Sequence, residues 1–342
     1  MSRRGAILAM AAWWSAAALA CAFDTVTTAE GRVAGKVTQM TPTEVTVEQA
    51  AGITKGVPVN EIETISFEDE PMPLKNARNA IRAGRYEDAL KTLEEVNAAE
   101  VERAEIKQDL EFYKALAACK SALAGSGTIA EAGKQMAGFV RNNANSYHYL
   151  EACEVVGDLL IAAGKQAAAQ AYYEQVAKAP WPDYKMRAGV AIGRALLSQG
   201  KADDAMKQFQ TVIDTSASGD LAERQRLAAK LGKARCLAES KQTDEAIKLA
   251  QEIIDKADAE ETELNAKAYN VLGIAYRKAG RAKDALWAFL HVDILYPSDG
   301  EAHVEALQNL IPLWKELQKP ERAADAERVL KDQYGRGPGT GD

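Results

Sequence analysis

From Leu74 to the neighbourhood of Tyr334 the sequence repeats one pattern, and that pattern limits the fold more than anything else in the chain. A small residue is followed 12 positions later by a second small residue: Ala77/Ala89, Gly157/Ala169, Gly193/Ala205, Ala234/Ala246 and Gly273/Ala285. Four positions further on stands a large side chain, Leu93, Tyr173, Phe209 or Phe289, with Ala250 as the exception. In the most regular unit Tyr269, Leu272, Gly273 and Tyr276 fall at i, i+3, i+4 and i+7, which is one face of a helix. The glycine lets a second helix approach, Ala285 is its small counterpart, and Phe289 one turn later fills the space between them. Turns follow at Ala83-Gly84-Arg85, Ala163-Gly164-Lys165, Gly200-Lys201 and Ala279-Gly280-Arg281, and Pro297 stops the second helix. A repeating helix pair cannot bury its apolar face alone, so the units must stack.

Helix pairs in phase on these positions resemble the tetratricopeptide repeat. The resemblance covers about 74–334 and predicts about seven pairs. The second, about 103–142, has a longer turn at Gly125-Ser126-Gly127, and the last, about 300–334, has degraded signature positions, as expected of a cap. Unit spacings of roughly 36 to 41 exceed the family's 34, so the linkers carry extra residues. The resemblance implies a mainly α solenoid whose concave groove is lined by the first helix of each pair. It places in that groove the positions −6, −3, +1, +4 and +5 from the first small residue. In pair three these include Glu151, Glu154 and Asp158. In pair four they are Arg187, Val190, Arg194, Leu197 and Ser198, and in pair five Ala228, Leu231, Arg235, Ala238 and Glu239. In pair six they are Lys267, Asn270, Ile274, Arg277 and Lys278. The expected partner-binding residues are Arg187, Arg194, Arg235, Lys267, Asn270, Arg277 and Lys278, a largely basic wall in a chain of net charge −7. A wall of one sign selects the opposite sign, so the implied partner is a protein or peptide segment that is acidic or ends in a free carboxylate.

Residues 23–70 follow a different period. Val26, Val33 and Val37, Val45 and Val47, Val57 and Val59, and Ile65 and Phe67 alternate with polar residues, many of them threonine. This is the pattern of about five half-buried strands. Turn signals separate them at Ala29-Glu30-Gly31, Thr41-Pro42-Thr43 and Gly52 to Gly56. A sheet this small exposes its edges, so closure into a small barrel is expected, and the module resembles SH3-like or Sm-like barrels. Arg32, Lys36 and Lys55 are too few, and stacking aromatics too scarce, for RNA recognition. Glu68 to Pro73 reads as an acidic, proline-broken linker open to proteolysis, with the solenoid at 71–334 beyond it.

The first 22 residues read as a signal peptide: Ser2-Arg3-Arg4, an apolar run from Gly5 to Leu19, and a small-x-small site at Ala20-Cys21-Ala22. The run is about 15 residues, shorter than the ~20 of a bilayer span, which favours cleavage near Ala22 over a membrane anchor. Two variants stay open: lipidation of Cys21 and export through a twin-arginine route, each on an imperfect motif. Cleavage places the protein outside the cytoplasm, in the periplasm or cell envelope, with membrane contact only through a lipidated Cys21. The glycine-rich tail 335–342 is expected to be disordered.

Composition narrows the functions. The hydrophobic share of 47% and charged share of 27% suit a folded globular chain. Net charge −7 supplies no basic field for nucleic acid. Cys119, Cys153 and Cys236 fall in predicted amphipathic helices and read as buried thiols, with a Cys119–Cys153 disulfide as the alternative. His148, His291 and His303 lack metal-ligand neighbours at i+4, and there is no Cys-x-x-Cys, phosphate loop or nucleophile elbow, so no metal, cofactor or catalytic residue is assigned. Trp181-Pro182 is expected to plug a gap between pairs. The reading is a non-enzymatic interaction scaffold; the alternatives are an envelope assembly factor and an enzyme with an unrecognised site.

Overall fold

The computed structural model describes residues 23–334 and 337. The signal segment, the cleavage site near Ala22, Cys21 and all of the tail except Gly337 lie outside the described residues.

Five strands come first: β1 (Asp24–Thr28), β2 (Gly31–Met40), β3 (Glu44–Glu48), β4 (Thr54–Pro58) and β5 (Ile62–Ser66). All pairings are antiparallel, and the order is β4-β3-β2-β1-β5. The long β2 pairs with β1 along its first half and β3 along its second, with a register shift between Val37 and Gln39 where it bends. That bend wraps the inner face around Val26, Val37, Val45, Val47, Val57 and Ile65, each at most 2% exposed. The expected barrel is not closed by hydrogen bonds, since among the described residues no ladder joins β4 to β5. A single helical turn, Val59–Glu61, takes the chain round that corner with Val59 buried.

The valine core does not end at the linker. It runs on into Leu74, Ala77, Leu93, Ile106 and Leu110, so the sheet and the first helices share one cluster. The segment read as a loose linker is pinned. Glu70 pairs with buried Arg78, which also donates to the Ile65 carbonyl. Asp24, 1% exposed, receives both terminal nitrogens of Arg103 at 2.7 Å and the backbone amides of Val37 and Glu68. Burial works against its charge, but these donors hold the Asp24 carboxyl below its ordinary value. Pro73 sits in the first helical turn, where its missing N–H costs nothing, so the proline-bearing stretch starts a helix rather than forming a spacer.

Among the described residues fourteen α-helices follow as seven antiparallel pairs. They are α1 (Met72–Arg82) with α2 (Tyr86–Glu94), α3 (Ala104–Leu123) with α4 (Ile129–Asn142), and α5 (Tyr149–Ala162) with α6 (Gln166–Val176). Next come α7 (Pro182–Ser198) with α8 (Ala202–Ile213), α9 (Asp220–Glu239) with α10 (Thr243–Ile254), and α11 (Thr262–Lys278) with α12 (Ala282–Leu295). The last pair is α13 (Gly300–Glu316) with α14 (Pro320–Tyr334). The small–large register is the packing register. A Cβ built on Gly193 would lie 2.5 Å from the Phe209 ring, and one on Gly273 would lie 2.7 Å from the Phe289 ring. Gly157 meets Tyr173 in the same way, and Phe209 is also pressed on its far side by Gly232 of the next pair. The turns of pairs one, three, four and six carry glycine at φ +69° to +75°, while pairs five and seven put Lys241 and Gln318 in that left-handed conformation. The three cysteines Cys119, Cys153 and Cys236 are free and buried, so the alternative of a disulfide is not realised. Trp181 packs against the cluster that contains Tyr147, as a plug between pairs.

The array bends enough to meet itself. The backbone of Tyr334, at the end of α14, approaches the α3–α4 turn so closely that a Cβ on Gly125 would lie 3.1 Å from its carbonyl oxygen. Beside this contact is a cleft of about 680 Å³ whose walls include Lys120 of α3, Lys267 of α11 and Asp299 before α13.

Candidate partner-binding groove

First helices of successive pairs pack directly on one another: α7 on α9, α9 on α11 and α11 on α13. That contact sorts the groove positions. Residues at −3 are drawn into the seam between first helices, so Val190 and Leu231 are buried. Asn270, expected in the groove, is buried as well: it donates at 2.8 Å to the Ala302 carbonyl and ties α11 to α13 instead of facing a partner. Its Oδ1 is left without a hydrogen bond. At +1 and beyond the outcome is mixed: Ile274 and Ala238 are buried, whereas Arg194, Arg277 and Lys278 are exposed.

Most of the basic wall is neutralised from within. Arg187 pairs with Glu154 at 3.0 Å and lies over the Tyr184 ring. Arg235 of α9 reaches past α11 to Glu305 of α13. Lys267 pairs with Glu263 one turn back and with Asp299 at 3.7 Å, and Lys278 meets Glu239 at 2.6 Å. Arg277 donates at 2.9 Å to the neutral amide of Asn309. Arg194 has no ion-pair partner among the described residues. The sequence brings all six cations to one face, but among the described residues only Arg194 and Arg277 have no carboxylate within ion-pair distance, and Arg194 acts on Glu263 only from further off.

The acids of pair three occupy the same face. Burial pushes the Glu154 carboxyl up to about 7, against the pull of Arg187 and with Asp158 and Glu151 adding to the rise. Asp158 accepts a 2.8 Å hydrogen bond from the Tyr173 hydroxyl, whose ring fills the space against Gly157, so this groove acid is fixed to the repeat core.

A further polar cluster was not legible in the sequence. Arg78, one residue after Ala77, occupies a groove-type position, yet it is buried under the β-sheet with Glu70. Behind it Asp109, fully buried, lies 3.9 Å from Arg78 and 3.1 Å from His148 Nε2. His148 stacks on Phe112 at 3.7 Å and approaches Glu151 at 3.8 Å. Burial disfavours its charge, but Asp109 and Glu151 hold its pKa above the ordinary value. The cluster therefore runs from β5 through α1 and α3 to the lip of the groove. His148 thus sits at the start of its pair packed on the neighbouring helix α3. Among the described residues no group of three or more His, Cys, Asp or Glu is placed to hold a metal ion.

Stacked pairs, the small–large register and a concave face of first helices define a helical-repeat solenoid of the tetratricopeptide class. Residues 157–220 and 190–261 match the tetratricopeptide repeat family model, so the centre of the array is similar to these repeats. The search of curated proteins returned no match. Two solved structures share the fold. A tetratricopeptide repeat protein from Parabacteroides merdae is 13% identical with a TM-score of 0.55, over 77% of this chain and 92% of the other. The apo form of RapI is 11% identical with a TM-score of 0.58, over 76% and 98%. At these identities the likeness is one of architecture.

Proposed function

We propose that this protein is an exported interaction scaffold that holds a segment of a partner protein along its concave face. Solenoids of this class typically act through extended concave binding surfaces. The observation that carries the reading is the contrast along the wall. Arg187, Arg235, Lys267 and Lys278 are paired with acids of the fold, while Arg194 and Arg277 have no carboxylate within ion-pair distance among the described residues. A segment bearing carboxylates supplies what those two positions lack, through charge-assisted hydrogen bonds.

Co-purification from the native host with mass spectrometry identifies the partner. The double variant Arg194→Glu/Arg277→Glu loses its capture while the melting temperature stays nearly constant, because exposed charges contribute little to stability. Lys207→Glu/Lys248→Glu, outside the groove, captures normally. A double groove variant that binds normally, or a partner segment that is basic or wholly apolar, removes this reading. The export part is tested by N-terminal sequencing of native protein, which begins at Phe23 or at a lipid-blocked Cys21; a cytoplasmic chain beginning at Ser2 removes it.

A further inference from the structure

Seven large hydrophobic side chains are exposed among the described residues, and three of them share one face of α12: Trp287, Ile294 and Leu295 at 65%, 66% and 58%. Their spacing, i, i+7 and i+8, is that of a helical stripe with His291 at its centre. Isolated exposed apolar residues need no explanation, but a contiguous stripe does. The stripe is also rigid. The His291 ring lies flat on Tyr269 at 4.5 Å and 10°, Tyr269 stacks in turn on Tyr296 at 5.9 Å, and His291 Nδ1 donates to the Trp287 carbonyl at 2.8 Å.

The charges around it are already used. Asp284 pairs with Arg281 at 2.7 Å, and Asp293 with His303 at 2.8 Å. Lys283, one turn before Trp287, is exposed and has no ion-pair partner among the described residues. The stripe thus has a bulky aromatic and a free cation toward its N-terminal end. At the other end it has two aliphatic side chains and the last carbonyls of the helix, the negative pole of its dipole.

We infer that α12 is a self-association surface on which a second copy of this chain docks antiparallel about a two-fold axis beside His291. In that arrangement Trp287 of each copy covers Leu295 and Ile294 of the other, and Lys283 of each reaches the carbonyl end of the opposite helix. The bulk and the charge are complementary when the helices run in opposite directions, which gives the reciprocal pairing of an isologous contact, Trp287 of each copy on Leu295 of the other. The apolar stripe offers on the order of 400 Å² per copy, about half of what each side of a standard stable interface contributes, so the dimer is weak and concentration-dependent. As a second helix, α12 does not line the groove, and a dimer formed here leaves both grooves open.

Sedimentation equilibrium of the described chain, from roughly 1 μM to 1 mM, tests this. A monomer–dimer equilibrium is expected, with the dissociation constant raised at least tenfold by Trp287→Ala and by Ile294→Ser. Both residues are exposed, so the circular dichroism spectra and melting temperatures stay at the parent values. Lys283→Glu places a negative charge at the negative helix pole and also weakens the dimer. Arg194→Glu/Arg277→Glu dimerises like the parent, which separates this inference from the groove. A chain that remains monomeric to the highest concentration overturns it, as does a dimer indifferent to Trp287→Ala. A dimer that Lys283→Glu leaves untouched overturns the antiparallel arrangement. Monomers that float with lipid vesicles through Trp287 assign the stripe to a membrane instead.

Discussion

At the scale of single residues, the repeat is a set of contacts with no spare volume. The Phe209 ring is held between Gly193 and Gly232, and a methyl group at position 193 already overlaps it. Gly193→Leu is therefore expected to cost about 1–3 kcal/mol or more, because neither the ring nor the backbone behind it can retreat. Lys207→Leu, on the exposed face of α8, should shift stability by no more than about 0.5 kcal/mol. Chemical denaturation of the two variants checks this, and equal tolerance would contradict the register. The contact was readable from sequence because both partners are local and constrained in type: a glycine, an alanine 12 residues on, an aromatic four further. The fate of the groove cations was not readable. Apart from Glu263, one turn back from Lys267, their partners come from other pairs, 32 residues away for Arg277 and Asn309 and 70 for Arg235 and Glu305, and only the stacking of the array brings them together. Asn270 was misplaced for the same reason, since the register gives its face but not how closely α13 packs on that face.

At the scale of elements, the junction of α1, α3 and α5 with the sheet makes the fold sensitive to pH. His148 holds its proton more tightly folded than unfolded, so its contribution is complete below about 6.5 and is lost as pH rises through its higher folded value. Glu154 acts in the same direction: its folded pKa of about 7 lies above the model-peptide 4.5, so the folded state binds more protons between these values and stability falls as pH rises across them. Glu70, raised mainly by burial, adds to this. Asp24 has the opposite sign, and its contribution disappears only as pH falls below 3.8. The melting temperature should therefore decline from about pH 5 to pH 8, and Glu154→Gln should flatten the lower part of that decline. An unchanged slope in Glu154→Gln would show that this carboxyl is not the titrating group. The second pair hid the junction from the sequence: α3 and α4 lack the small–small anchor, so no register placed Asp109. The five strands were legible from their alternation, whereas closure of the sheet was not, because it depends on how the turn at Val59–Glu61 and the bend in β2 orient the edges.

At the scale of the whole molecule, the β-sheet is the first layer of the solenoid rather than an appended domain. Arg103 spans 79 residues of sequence to Asp24 and lies over the Phe67 ring at 5.0 Å. Removing it leaves a buried carboxylate with only two backbone donors. Arg103→Ala is expected to destabilise by about 2–4 kcal/mol, somewhat less than a bare buried charge because those amides remain. Limited proteolysis should leave 68–74 intact in the parent and cut there in the variant. A parent chain cleaved first at that segment would restore the independent-module reading that the sequence suggested. The same compactness holds at the far end, where Tyr334 at the end of the seventh pair comes to rest against Gly125 in the turn of the second. Open helical arrays lengthen and shorten in evolution by duplicating or deleting a unit, since each unit touches only its neighbours. Here an inserted copy of 220–261 would have to part Tyr334 from Gly125 or force the entire spiral into another pitch. The contact thus ties the number of pairs between Gly125 and Tyr334 to the pitch of the array, so that stretch diversifies by substitution along its faces more readily than by an inserted unit.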